Sequence, residues 1–400
     1  MQDLLALFRD RFVLTDPELI YLDGNSLGRL PRAAVERLRD AVERGWGDQL
    51  IRGWADWYDL PQRLGAKIAR LVGAKPGEVI CCDSTSVNFY KLVMAALAMQ
   101  EGRTKIVTDD LNFPSDLYLL QGCAAQRPGT RIEVVKSEDQ IHSGPIEEAL
   151  DEDTALLTLS HVSFKSGFRH DMARLTRAAH EKGVLVLWDL SHSVGAMPIE
   201  LGEADFAVGC TYKYLNGGPG APAFLYVRED LQEKATNPIW GWFGQNRPFD
   251  FSLDYQGAPG LDAMLVGTPP ILSMLAIEAG VDMILEAGLD KIRAKSKRLT
   301  EFMVEQWEEH LPEMELRSPR NPQQRGSHIS LGHPDGYAID RALIEAKKVI
   351  PDFRAPDNIR FGFSPLYTTF GEVEEAVRRT KDVIESGLYR DYAVAKGVVT

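Results

Sequence analysis

Residues 184–195, VLVLWDLSHSVG, and residues 205–220, DFAVGCTYKYLNGGPG, are the most informative stretches of the sequence. Each begins with a short apolar run rich in β-branched residues and continues into a polar or glycine-rich turn. Such runs are typical of parallel strands that are buried on both faces. The first run ends in Asp189 and the second leads to Lys213. The two stretches therefore predict neighbouring strands whose carboxyl ends carry charged side chains.

Further runs of the same kind occur along the first half of the chain, and segments with helical periodicity separate several of them. Alternating strands and helices predict an α/β fold with a doubly wound, mainly parallel sheet, which binds ligands at the carboxyl ends of its strands. The other runs are EVICC (78–82), KIVTDD (105–110), RIEVV (131–135), ALLTLS (155–160) and APAFLYV (221–227).

The length of 400 residues favours two domains rather than one core. After about residue 270 the strand–helix alternation gives way to long helical segments mixed with a few short strands. That mixture predicts a smaller α+β domain. We place the large domain at residues 56–265 and the small domain at residues 266–400.

Composition excludes several classes of function. The formal net charge of -13 disfavours nucleic acid or an anionic membrane as the main partner. The N-terminus lacks the features of a secretory signal, and the four cysteines show neither CxxC spacing nor a disulfide framework. The eight histidines show no metal-ligand spacing. We predict a cytoplasmic protein with reduced thiols and no metal site.

Asp189 and Lys213 are the pair of groups that pyridoxal 5'-phosphate (PLP) requires. A lysine amine holds the cofactor covalently, and a carboxylate keeps the pyridine nitrogen protonated so that the ring accepts electrons. Taken singly, Asp189 is better explained as a helix cap, and Lys213 as a solvated side chain in a glycine-rich loop. Their occurrence together at two strand ends favours PLP.

Several other residues fit the same site, although each has a plain structural alternative. Thr85 and Ser86 begin a helix after the first large-domain strand, where N–H groups bind an anion such as phosphate, or where the hydroxyls simply cap the helix. Phe113 precedes a helix start and is a candidate for stacking on the pyridine ring. His192 follows Asp189 closely, and Trp242 carries an N–H that can donate to phosphate.

Arg360 lies inside the apolar segment NIRFGFSPLY (358–367) of the small domain. A buried guanidinium needs a partner. A substrate α-carboxylate held by two hydrogen bonds is one partner, and a structural salt bridge is the alternative.

Taken together, the sequence resembles the kynureninases, a branch of the fold-type I, class V-like PLP enzymes. The motifs occur in the expected order and cover nearly the whole chain. They are LDGNSLG (22–28), GWGDQLIRGW (45–54), FPSD (113–116), WDLSHSVGA (188–196), CTYKYLNGGPG (210–220), GWFGQ (241–245), VGTPPI (266–271), RGSH (325–328) and IRFGFSPLY (359–367).

The resemblance implies the aspartate aminotransferase fold, with residues 1–55 packed against the small domain, and a homodimer. It also implies residue roles. Lys213 carries PLP, Tyr212 assists proton transfer, and Asp189 contacts the ring. The implied cofactor pocket comprises Thr85, Ser86, Phe113, Pro114, Ser115, Asp116, Ser160, Asp189, His192, Tyr212 and Lys213, with Trp242 and Thr268 near the phosphate, one or both across a dimer interface. Ser26 and Arg360 lie on the substrate side.

The implied reaction is hydrolysis of L-kynurenine, or its 3-hydroxy form, to anthranilate, or 3-hydroxyanthranilate, and L-alanine. Three alternatives use the same fold. A cysteine desulfurase or selenocysteine lyase needs a nucleophilic thiol in the C-terminal part, whereas no cysteine follows Cys210. An aminotransferase would use the same lysine and aspartate. A catalytically silent binding module would have lost part of the cofactor set, and none of it is missing.

Overall fold

The structure is a computed structural model that describes residues 3–137 and 143–393. The strands within these ranges are β1 (Ile20–Tyr21), β2 (Val79–Cys81), β3 (Lys105–Asp109), β4 (Arg131–Val135), β5 (Thr154–Ser160), β6 (Leu185–Asp189), β7 (Phe206–Gly209), β8 (Phe224–Val227), β9 (Glu315–Leu316), β10 (His328–Gly332), β11 (Val349–Ile350), β12 (Asp352–Arg354) and β13 (Asn358–Gly362). The α-helices are α1 (Arg32–Asp40), α2 (Trp54–Trp57), α3 (Leu60–Val72), α4 (Thr85–Met99), α5 (Pro114–Gln126), α6 (Ser143–Ala149), α7 (Met172–Glu181), α8 (Ile271–Ala287), α9 (Leu289–His310), α10 (Gly336–Lys347) and α11 (Phe370–Ser386).

The large sheet contains all of the strands that the apolar runs predicted. Its order is β2-β8-β7-β6-β5-β3-β4. Neighbours from β7 across to β4 are parallel, whereas β8 is antiparallel to both β7 and β2. The predicted mainly parallel sheet is therefore confirmed, with β8 as an exception. A parallel neighbour needs a long crossover connection, usually a helix, and the segment between β7 and β8 contains none.

Burial on both faces explains why these strands are apolar without alternation. Every residue of β5 is buried, as is every residue of β7. Successive side chains on a strand point to opposite faces. Trp188 on β6 accordingly belongs to one hydrophobic core and its neighbour Leu187 to another. The strand ends between the two cores are the positions where polar side chains are brought together.

The C-terminal part forms an antiparallel sheet of order β12-β13-β10-β9. Helices α9, α10 and α11 contribute to the hydrophobic core that covers it. The N-terminal strand β1 pairs with β11 in parallel, with Ile20 opposite Val349. The proposed boundaries after residues 55 and 265 stay predictions, and residues 1–2 and 394–400 lie outside the described part of the chain.

Within residues 3–137 and 143–393, no helix has the length and apolar character of a bilayer-spanning segment. The four cysteines are all buried and carry free thiols.

Candidate active site

Lys213 lies in the connection between β7 and β8, beside the carboxyl ends of the parallel strands. Its Nζ is 2.9 Å from Nε2 of His192, which belongs to the turn after β6. The same nitrogen lies 5.8 Å from the ring centroid of Tyr212 and 5.9 Å from that of Phe113. Asn216, at φ 56°, donates its N–H to the carbonyl of Lys213 and tightens the loop. The structure thus brings together the predicted amine, histidine and two aromatic residues.

Two buried carboxyl groups lie within electrostatic reach of this amine. Burial raises the pKa of Asp189 at the end of β6, while hydrogen bonds from Ser191 and the charge of Lys213 act in the opposite direction. The Ser191 backbone N–H and hydroxyl donate to Oδ1 of Asp189 at 2.9 and 2.6 Å. Ser160 ends β5 directly opposite Asp189 in the sheet.

Asp116 in the first turn of α5 is the second carboxyl group. Burial raises its pKa well above the ordinary value, the charge of Asp189 adds to the rise, and Lys213 opposes it. Among the described residues, Oδ2 of Asp116 has no hydrogen-bond partner. Asp116 and Asp189 both interact with the single positive charge of Lys213, so a second N–H donor close to them would be stabilising. A protonated pyridine nitrogen is such a donor.

The histidines of the site are neutral. Burial lowers the pKa of His192 well below its ordinary value, and the positive charge of Lys213 adds to this. Nδ1 of His192 has no hydrogen-bond partner within the described chain. The neutral imidazole is therefore able to accept a hydrogen bond from the Lys213 amine through Nε2.

His328 was not assigned a role from the sequence, although it belongs to the quoted RGSH motif. It begins β10, and its ring centroid lies 5.9 Å from that of His192. Burial, with Arg360 nearby, lowers its pKa to about 3. In the described part of the structure neither of its nitrogens has a hydrogen-bond partner. The sequence contained one signal for this residue, namely a histidine at the first position of a mainly apolar strand.

The predicted phosphate residues lie where two helices begin. Thr85 and Ser86 start α4, and Pro114, Ser115 and Asp116 start α5. The hydroxyl oxygens of Ser86 and Ser115 are 3.3 Å apart. Ser84, which the sequence argument did not single out, caps α4 by accepting the N–H of Val87. Exposed N–H groups at two converging helix starts are suited to binding an anion, and phosphate binding by these residues stays a prediction.

Trp242 and Thr268 lie on the surface. Trp242 begins a 3-10 turn, is 42% exposed and packs edge-on against Phe243 and Phe249. Thr268 is exposed beside a cavity of about 610 Å³ that Trp46 and Trp57 also line. Their approach to a phosphate stays a prediction. Trp242 and Thr268 are exposed, as residues that contribute to the site of a second subunit would be.

Arg360 on β13 is fully buried and has a protein partner. Its guanidinium binds both oxygens of Asp352, with Nε at 2.6 Å from Oδ1, and also donates to the carbonyl of Phe164. Ser26 accepts a 3.1 Å hydrogen bond from the same guanidinium and donates to Asp352 at 2.7 Å. Burial alone would raise the pKa of Asp352, but Arg360 holds it down at about 2. The salt bridge that the sequence left open exists, and the substrate role of Arg360 and Ser26 stays a prediction.

The residues present fit PLP. Four groups surround one place: the amine of Lys213, the buried carboxylate of Asp189, the ring of Phe113 and the two helix starts at Ser86 and Ser115. Polar atoms of Asp116 and His192 at this place lack protein partners among the described residues. No group of three or more potential metal ligands occurs in residues 3–137 and 143–393.

Comparison with known proteins identifies the family of the chain. The family model "Kynureninase C-terminal domain" matches residues 292–380. The chain is 44% identical to a kynureninase from Pseudomonas fluorescens, over 96% of this chain and 93% of that protein. It is 42% identical to a kynureninase from Burkholderia pseudomallei (strain 1106a), over 97% and 94% of the two chains.

Solved structures agree in fold at low identity. The apo cysteine desulfurase from Thermococcus onnurineus NA1 superposes with a TM-score of 0.82 at 23% identity, covering 96% of this chain and 99% of that one. A C-DES mutant with glycine covalently linked to its PLP cofactor has a TM-score of 0.80 at 19% identity, covering 92% and 97%. These likenesses show the fold of PLP-dependent proteins. Because two relatives more than 40% identical cover nearly its whole length, the chain belongs to the kynureninase family, as its motifs predicted.

Proposed function

We propose that this protein uses PLP to hydrolyse the Cβ–Cγ bond of L-kynurenine, or 3-hydroxy-L-kynurenine, to anthranilate, or 3-hydroxyanthranilate, and L-alanine. The observation that carries the proposal is the convergence of Lys213, His192, Asp116 and Asp189 in a chain of this family. Water supplies the hydroxyl of the new carboxyl group and the hydrogen that completes alanine.

Bound PLP withdraws electrons from the substrate α-carbon, which makes the α-proton removable. Lys213 is the base that we assign to this proton. Its hydrogen-bond contact with neutral His192 holds the amine in position within the site. Tyr212, whose pKa is raised by the Cys210 thiol and by burial, keeps its proton and lies beside Lys213, where we expect it to assist proton transfer. Asp189 holds a proton on the ring nitrogen by its negative charge.

Arg360 and Ser26 bind the substrate α-carboxylate in this proposal. Asp352 occupies one edge of the guanidinium, whereas the Phe164 carbonyl and the Ser26 hydroxyl each accept from one of the three remaining N–H groups. A substrate carboxylate, being charged, is a stronger acceptor than a carbonyl or a hydroxyl. We expect it to displace these two while Asp352 keeps the arginine in place.

We also propose a homodimer. Large hydrophobic side chains remain exposed beside Thr268 and Trp242, and exposed apolar clusters mark association surfaces. Leu253 is fully exposed and Phe251 is 77% exposed. The other exposed apolar residues of this surface include Trp46, Ile51, Trp242 and Phe249. Light scattering after gel filtration tests the dimer. The four buried free thiols support a cytoplasmic location.

The test is an assay of the purified protein with PLP and each kynurenine. We expect fluorescent anthranilate and equimolar alanine without any added oxo acid, and kcat/KM values for the two substrates show which ring is preferred. Pyruvate-dependent amine transfer without anthranilate would establish the aminotransferase alternative instead. A protein that stays colourless with PLP would favour the silent module. The desulfurase alternative lacks its thiol, since all cysteines are buried and none follows Cys210.

A further inference from the structure

Lys91 is a fully buried lysine on α4 that takes no part in the mechanism above. Its ammonium group forms an ion pair with Asp83 and donates a 2.7 Å hydrogen bond to the carbonyl of Met264. A buried charge is costly unless it is paired and hydrogen-bonded. An apolar side chain would be easier to bury at this position than Lys91. The two groups that Lys91 binds indicate what its charge is used for.

The first of these groups is the turn that leads into the anion site. Asp83 lies between β2 and α4, immediately before Ser84, and has a positive φ of 45°. A non-glycine residue in this conformation is strained and persists only where its surroundings hold it. The Asp83 carbonyl accepts the N–H of Ala223 at 2.7 Å, and Lys91 binds the Asp83 side chain. The orientation of the N–H groups at Thr85 and Ser86 depends on this turn.

The second group is the carbonyl of Met264, which ends the 3-10 turn Gly260–Met264. Two residues further on, the carbonyl of Val266 accepts the N–H of Phe243 at 3.2 Å. A Cβ on Gly241 would lie 2.1 Å from the same carbonyl, so the two segments are in close contact. Lys91 is thereby connected, through Met264, to the segment that carries Thr268 and, through the contact of Val266 with Phe243, to the segment that carries Trp242.

We propose that Lys91 is a positioning residue for the cofactor phosphate. It does not touch the phosphate; it fixes the turn at Asp83, from which Thr85 and Ser86 present their donors, and it attaches the Met264–Thr268 segment to that turn. The inference rests on the proposed PLP function and adds to it the device that shapes the phosphate site.

The experiment compares PLP with pyridoxal, which lacks the phosphate but has the same ring and aldehyde. Lys91→Met should raise the Kd of PLP by about tenfold or more, equivalent to about 1.4 kcal/mol. The Kd of pyridoxal should stay within about twofold. Both constants are measured on the apoprotein by absorbance titration. Asp83→Asn/Lys91→Met should behave alike, without leaving the partly buried Asp83 carboxylate unpaired.

Lys105 supplies a matched control. It is also buried, and it pairs with Asp151 and the Ala149 carbonyl at the opposite edge of the sheet. Lys105→Met should lower thermal stability and leave the ratio of the two Kd values unchanged. Equal weakening of PLP and pyridoxal by Lys91→Met, or no weakening of either, would overturn the inference alone. Failure of the natural protein to bind PLP would overturn the proposed function with it.

Discussion

The two edges of the large sheet use ionisable groups in opposite ways. At the amino edge, Lys105 binds Asp151 and the Ala149 carbonyl, each at 2.6 Å, and lowers the pKa of Asp151 to about 2. Also at this edge, His180 binds Asp205 at 2.8 Å. At the carboxyl edge, polar atoms of Asp116 and His192 have no partner among the described residues. The ionic groups of the amino edge are paired for stability, whereas the carboxyl edge also keeps polar groups available for a ligand.

This difference follows from the direction of the strands. Parallel strands place all their carboxyl ends on one edge, where the connections to the next helices converge. Helix starts also lie there and supply N–H donors to an anion. Buried polar groups without partners cost stability, so their concentration around Lys213 indicates a site that is completed by binding.

The largest contrast is expected between two aspartates at opposite edges. Asp189→Asn should lower kcat by about a hundredfold or more, the loss typical of removing a preorganised charge-stabilising group. The neutral amide no longer holds a proton on the ring nitrogen. Steady-state kinetics with kynurenine measures the effect.

Asp151→Asn is the matched control for this prediction. Asp151 is largely exposed and remote from Lys213 in the sheet, so we expect unchanged kcat and only a small fall in the thermal midpoint. Comparable losses of kcat in the two variants would remove the functional distinction between the edges.

Arg360 serves stability and ligand binding at once. It forms an ion pair, as the groups at the amino edge do, and we propose that it also binds the substrate. Arg360→Ala leaves buried Asp352 with Arg354 as its charged partner, so it should destabilise the fold by less than the roughly 3–5 kcal/mol that is lost when a buried charge keeps no partner. It should also raise KM at least about tenfold, since hydrogen bonds between charged groups contribute about 1.5–3 kcal/mol.

Arg360→Ala/Asp352→Asn separates these two effects. Removing both charges should restore part of the stability, as measured by urea unfolding, while KM stays high. A double variant with a normal KM would mean that Arg360 is only a structural partner of Asp352.

Most of the fold could be predicted from the sequence, because the core strands are buried on both faces and therefore appear in the sequence as continuous apolar runs. It also predicted Lys213, His192 and Phe113 as neighbours, since they lie close to strand or helix ends. The Asp352 partner of Arg360 could not be predicted, because it is supplied by a neighbouring strand of three residues. The antiparallel direction of β8 was missed for a related reason, as local periodicity contains no information about strand direction.

The smallest effect concerns pH at the amino edge. The hydrogen bond to Asp205 raises the pKa of His180. A raised pKa in the folded state stabilises the protein below the unfolded value, near 6.5, and this stabilisation is lost as pH rises through the folded value. His180→Gln should therefore cost more stability at pH 6 than at pH 9, by less than about 1 kcal/mol because His180 is partly exposed. Urea unfolding at the two pH values measures the difference, and an equal cost at both would contradict the assignment.

The proposed reaction requires above all that PLP is attached covalently to a lysine at the carboxyl edge. Borohydride reduction of the PLP-loaded protein, followed by proteolysis and mass spectrometry, identifies the lysine that carries the cofactor. We predict a phosphopyridoxyl group on Lys213 alone, and none in Lys213→Ala, which should also lose the cofactor absorbance and turnover. A label on another lysine, or an unchanged visible spectrum in Lys213→Ala, would contradict the account.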